Sequence, residues 1–120
     1  MTDTMHSLPL TPAVFHILLV LAGDDKHGYE IMKAVRQDSN GSVKMGNGTL
    51  YGSLKRMLAD GLIEDAGERA EYDDTRRKYY KLTSLGREAL KAEIERYIHT
   101  AEVIKNYKLA PNVLMGDLAG

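Results

Sequence analysis

Apolar residues crowd into one stretch, Ala13 to Ala22, broken only by His16. Thr11-Pro12 precedes it. A threonine hydroxyl caps free backbone N–H groups, and proline at the first helical position loses nothing by lacking one. Leu10 and Phe15 stand at the spacing of a hydrophobic staple. The pattern predicts a first helix over about 12–22, apolar nearly all round and so central in the core. Gly23-Asp24-Asp25 ends it. A second helix is predicted from His27-Gly28 to about Gln37, with Tyr29, Met32, Ala34 and Val35 turned inward, and Asp38 to Ser42 reads as a loop. In a third helix, about 47–60, Leu50, Leu54, Met57 and Leu58 follow the i, i+4, i+7, i+8 spacing of one apolar face. The opposite face carries Gly48, Thr49, Gly52, Lys55, Arg56 and Ala59: small residues and two cations.

After Gly61 the period drops to two. Leu62 to Ala66 reads as a short strand and Tyr79 to Leu82 as a second, with Tyr80 and Leu82 on one face and Tyr79 and Lys81 on the other. The polar run from Gly67 to Lys78 is expected to be a long hairpin tip. Thr83 caps a last helix predicted from Ser84 to Leu109, roughly 40 Å at ~1.5 Å per residue, with Pro111 beyond it as a stop. Within it Leu90, Ile94, Tyr97, Ala101 and Ile104 recur at spacings of 4, 3, 4 and 3, a heptad seam. A domain of this size does not need so long a helix for its own core. The stripe is expected to pair with a second copy or to pack back on the first helix, and its length favours the second copy. The fold expected is mainly α with a small β-hairpin: a winged helix-turn-helix domain over 8–83, a C-terminal helix over 84–110 and a tail over 111–120.

The chain has 120 residues, enough for one real core, with 16 Lys and Arg against 17 Asp and Glu and a net charge of −1. As a bulk figure that counts against a nucleic-acid binder. The charges are segregated, however. Residues 60–74 hold seven acids and one base, residues 75–91 six bases and one acid, and residues 41–59 three bases and no acid. Such segregation makes local fields that net charge conceals.

Cysteine is absent, which removes disulfides, thiolate metal sites and a Cys nucleophile, and fits a reducing cytoplasm. The apolar run is too short to span a bilayer, so no membrane is implied. His6, His16, His27 and His99 show no paired i, i+4 spacing, so no metal is expected and no cofactor is implied. There is no Gly-rich phosphate loop, no nucleophile elbow and no carboxylate pair on rigid elements, so an enzyme is not expected.

One ordered set of motifs narrows the reading. Leu10-Thr11-Pro12, His27-Gly28-Tyr29-Glu30-Ile31, Gly48-Thr49-Leu50-Tyr51 with Leu54-Lys55-Arg56, Gly61-Leu62-Ile63, and Arg77-Lys78-Tyr79-Tyr80 followed by Leu82-Thr83 and Gly86 resemble the PadR family of bacterial transcriptional regulators. The resemblance covers about residues 8–90. It implies a homodimeric DNA-binding repressor that releases an inverted-repeat operator, often with ATGT and ACAT half-sites, on meeting a small effector. One C-terminal helix without a further domain is similar to the family's short subgroup. Gly46-Asn47 stands where the family commonly has Ser-Pro, Gly52 where it commonly has Pro, and the acidic wing tip is a further departure.

On this resemblance the third helix is the recognition helix. Thr49 and Asn47 are placed for base edges, with Gly48 between them on the same DNA-binding face, Gly52 for closer approach to the backbone, Lys55 and Arg56 for guanine or phosphate, and Tyr51 for phosphate or the groove wall. Arg76, Arg77 and Lys78, with Lys81, are wing contacts to phosphate, or else pair with the neighbouring acids. Lys44 is a weaker candidate of the same kind. Leu90, Ile94, Tyr97, Ala101 and Ile104 form the dimer seam. The effector site is expected at Phe15, Tyr97, Ile98 and Ala101, where Tyr97 stacks on a flat aromatic molecule or all four are plain packing residues. The tryptophan that short members often use for planar drugs is absent. The rival reading is a dimeric winged-helix module that binds protein without sequence-specific DNA binding.

Overall fold

The structure, a computed structural model, describes residues 10–71, 75–107 and 109. Helix α1 (Pro12–Gly23) begins where Thr11 Oγ1 accepts the Val14 N–H at 3.2 Å. It buries Ile17, Leu18, Val20 and Leu21 and touches every other helix, as its composition requires. A two-residue strand, β1 (Lys26–His27), then leads into α2 (Gly28–Asp38). This strand was not expected: two residues carry no alternation for a pattern to reveal. It exists because the next strands offer it an open edge.

Helix α2 starts with a capping box. His27 Nδ1 accepts the Glu30 N–H at 3.4 Å, and Glu30 Oε1 accepts the His27 N–H at 3.2 Å. Its inner side is Ile31 and Val35, one turn apart, with Met32 and Ala34 partly covered. Tyr29, expected inside, is instead exposed, with the Lys33 amine 5.6 Å from its ring.

Helix α3 (Asn47–Ala59) buries Leu50, Leu54 and Met57. It ends in a Schellman motif: Gly61, at φ +77°, donates to the Leu58 carbonyl and Leu62 to that of Met57. Strands β2 (Ile63–Ala70) and β3 (Arg76–Leu82) form an antiparallel hairpin, and the sheet order is β1-β3-β2. Both strands run well into the stretch expected to be the tip. Charged side chains have low strand propensity, but here they face one another across the ladder as ion pairs. The register shifts between Asp65 and Glu68, a bulge at which Gly67 takes φ +91°.

Thr83 Oγ1 accepts the Gly86 N–H at 3.0 Å and donates to the Gly61 carbonyl, starting α4 (Ser84–Lys105). This helix is 22 residues long and closes at Asn106 rather than reaching Leu109. Its last turn is exposed among the described residues, and Asn is a better cap than helix interior. Pro111 and the tail over 111–120 lie outside the described residues. The result is a mainly helical winged helix with a three-stranded sheet. Among the described residues no helix is long and apolar enough to cross a membrane.

Candidate nucleic-acid interface

The face of α3 opposite Leu50, Leu54 and Met57 is open to solvent. Asn47, Gly48, Thr49, Tyr51, Gly52, Lys55, Arg56 and Ala59 are all exposed, as is Lys44 in the preceding loop. The N-cap, Gly46, makes no side-chain hydrogen bond, so the first turn presents bare backbone N–H groups beside Asn47, Gly48 and Thr49. A Cβ at Gly48 or Gly52 would meet nothing within 4 Å, so this surface is smooth there. A groove of about 440 Å³ runs between Thr11 and Val14 of the α1 start and Gly48, Thr49, Gly52, Ser53 and Arg56. Among the described residues Lys44, Lys55 and Arg56 form no ion pair. Tyr51 is half-exposed, and its ring lies against Gly28.

The hairpin is electrically different. Arg76 Nε lies 3.3 Å from Glu68 Oε1, Lys78 Nζ 3.5 Å from Asp65 Oδ2, and Lys81 Nζ 3.4 Å from Glu64 Oε2. Arg69 bonds Asp25 at 2.8 Å and covers the Tyr79 ring at 4.2 Å. The Gly67 amide, with Lys78 nearby, holds the Asp65 carboxyl below its usual range. Arg77 has no ion pair among the described residues and is exposed. The basic run expected as a wing contact is thus mostly paired inside the hairpin.

A polar cluster fixes the hairpin to α2, and its wing-anchoring role was missed in the sequence. His27 is buried, and its Nε2 lies 3.6 Å from Glu30 Oε1 and 3.8 Å from Glu71 Oε1. Glu71 Oε2 accepts the Tyr79 hydroxyl at 2.6 Å. That bond, with burial and the Glu71 charge behind it, pushes the Tyr79 phenol up to about 12. The signal was the His27 to Glu30 spacing of a capping box; Glu71 joins it only through the hairpin.

At the other end, α1 and α4 pack together. Leu90 is 6% exposed and Ile94 lies against the same core, so these two seam positions already have partners within the chain. Tyr97, Ile98, Ala101 and Ile104 are exposed. Phe15 and Tyr97 meet at 4.9 Å, and His16 Nδ1, beside Phe15, is buried without a hydrogen-bond partner among the described residues. Glu93, fully buried, accepts the Leu10 N–H at 2.8 Å and Arg96 Nε at 2.8 Å. Nothing in the periodicity marked Glu93, which falls between seam positions.

The family model of the PadR-like transcriptional regulators matches residues 17–92. The chain belongs to that family. It is 32% identical over 92 residues to an uncharacterised protein of Lysinibacillus sphaericus, covering 73% of this chain and 80% of that one. A PadR family transcription regulator of Clostridium difficile superposes with a TM-score of 0.68 at 32% identity, covering 79% of this chain and 96% of the other. The Bacillus subtilis PadR, solved in complex with operator DNA, shares the fold at a TM-score of 0.62 and 18% identity, covering 82% and 62%. This PadR-like regulator is a transcription factor and not an enzyme. Among its described residues no group of three His, Asp or Glu side chains is placed to hold a metal.

Proposed function

We propose that this PadR-like protein is a cytoplasmic homodimeric repressor that reads an inverted-repeat operator in duplex DNA with α3 and leaves it on binding a small effector. The observation that carries this reading is the α3 face. Small residues allow close approach on the helix that inserts into the major groove in helix-turn-helix proteins, and Lys55 and Arg56, with Lys44 in the loop before them, form no ion pair among the described residues. Thr49 and Asn47 meet base edges there, and Gly48 lets the backbone come close. Lys55 and Arg56 reach guanine or phosphate further along, and Tyr51 touches the groove wall. On the wing Arg77, without an ion pair among the described residues, is the phosphate contact, while Arg76 and Lys78 reach DNA only if they leave their acids.

Tyr97, Ala101 and Ile104 with Ile98 supply the apolar surface through which two copies meet, Leu90 and Ile94 backing it from within. The effector enters near Phe15, Tyr97, Ile98 and Ala101, and is a planar aromatic if Tyr97 stacks on it. Selection of bound duplexes from a random pool tests the reading. The native protein should enrich an inverted repeat, and Thr49→Ala should alter it. No enrichment, or a repeat unmoved by Thr49→Ala, refutes the assignment of α3.

The internally paired wing favours one other reading, a dimeric winged-helix module that binds protein. Steep, salt-sensitive retention on heparin excludes it, and absence of such retention selects it.

A further inference from the structure

Side chains alternate between the two faces of a regular strand, so acids three residues apart belong on opposite faces. In β2 the bulge cancels that rule. Asp65 stands opposite Tyr80 and Glu68 opposite Lys78, while Ala70 stands opposite Arg76. Directly opposed residues share a face, so Asp65, Glu68, Arg76 and Lys78 all lie on one side of the hairpin. There the two acids meet the two cations at 3.5 and 3.3 Å. Asp65 is also pinned, because its Oδ1 accepts the Gly67 N–H at 2.7 Å across the bulge. On the other side Arg77 stands opposite Arg69, which is held by Asp25. Residues 64–81 carry six acids and five bases, so the wing is not a basic arm.

We propose that Asp65 and Glu68 set the strength of sequence-independent DNA binding: they mask Arg76 and Lys78, so that the wing meets the phosphate backbone with Arg77 alone. The inference rests on the DNA-binding reading of α3 and adds to it what the wing withholds. A carboxylate a few ångströms from a cation cancels most of its field at a phosphate further off. Each phosphate a protein neutralises adds sequence-independent affinity and steepens the dependence on salt. Masking Arg76 and Lys78 therefore lowers binding to every duplex sequence and flattens its dependence on salt, while leaving the base contacts of α3 untouched.

The test uses the full chain and a duplex of random sequence, with fluorescence anisotropy across a salt series. Asp65→Asn and Glu68→Gln should each steepen the slope of log affinity against log salt by about 0.9, and the double variant by about 1.8. Arg76→Ala placed in the Glu68→Gln background should return the slope to the native value. Glu88→Gln, which removes an exposed acid of α4 and changes the net charge equally, should leave the slope alone. Native slopes in Asp65→Asn and Glu68→Gln, or the same steepening in Glu88→Gln, overturn the masking. No binding of DNA by any of these proteins at low salt overturns the DNA reading, and the masking with it.

Discussion

The hydroxyl of Tyr51 lies so close over Gly28 that a Cβ there would come within 2.5 Å of its oxygen. The first turn of α2 and the middle of α3 are thereby keyed together, which accounts for a glycine next to the His27 cap. Tyr51 is half-exposed and its ring can swing out. A Cβ on Gly86, by contrast, would run into the backbone carbonyl of Leu62, which cannot. Gly28→Ala should therefore cost less than ~1 kcal/mol, and Gly86→Ala about 2–3 kcal/mol, as overpacking against a fixed group does. Urea denaturation measures both; equal losses would contradict the distinction.

Glu93 makes a second contrast. Glu93→Ala leaves the buried Leu10 N–H without its acceptor and the half-exposed Arg96 without its partner, and should destabilise by about 2 kcal/mol through the orphaned N–H. Glu93→Gln keeps an oxygen for Leu10 and should cost about 1 kcal/mol. Denaturation midpoints that do not separate the two variants would mean that the site is packing and not hydrogen bonding.

Tyr79 gives a pH dependence. Its phenol is raised from 10.0 to about 12 by the bond to Glu71. The folded value lies above the unfolded one, so the bond contributes fully below pH 10 and is lost as pH rises from 10 through about 12. The stability of the native protein should fall across that window more steeply than that of Tyr79→Phe. Ultraviolet difference titration should also lose a late-ionising phenol in the variant.

Arg77 forms no ion pair among the described residues, so Arg77→Ala should weaken binding to all duplex sequences and flatten the salt slope by about 0.9. A slope equal to the native one removes Arg77 from the interface.

The exposed side chains at the end of α4 test the assembly. Ile104→Glu places a charge on the surface proposed to meet a second copy. It should convert a sedimenting dimer into a monomer while leaving the helix content by circular dichroism nearly unchanged. A native protein that sediments as a monomer at micromolar concentration refutes the seam.

The helices were legible because their signals are local. Thr11, Thr83 and the glycine at 61 mark ends, and the spacing of Leu50, Leu54 and Met57 marks a face. The two strands of the hairpin were legible only where apolar residues alternate, at Ile63 and at Tyr80 to Leu82. Their outer halves are built from charged residues whose strand preference comes from the partner strand, which no single stretch records. For the same reason β1 was invisible and the bulge at Gly67 unread. The open face of α3 follows directly from its periodicity. The pairing of the wing cations does not, since it depends on register. Tyr29 was misplaced because its size suggested burial, whereas Ile31 and Val35 share the inward turn.

Leu10 stands one residue before the cap of α1, and Glu93 holds it from the middle of α4. That bond ties the start of α1 to the middle of α4, and the Phe15–Tyr97 ring contact ties the two helices again one turn further on. Beyond Tyr97 α4 continues for eight residues to Lys105, about 12 Å at the usual rise. Since α1 also touches α3, the exposed end of α4 and the exposed face of α3 are joined through this one helix.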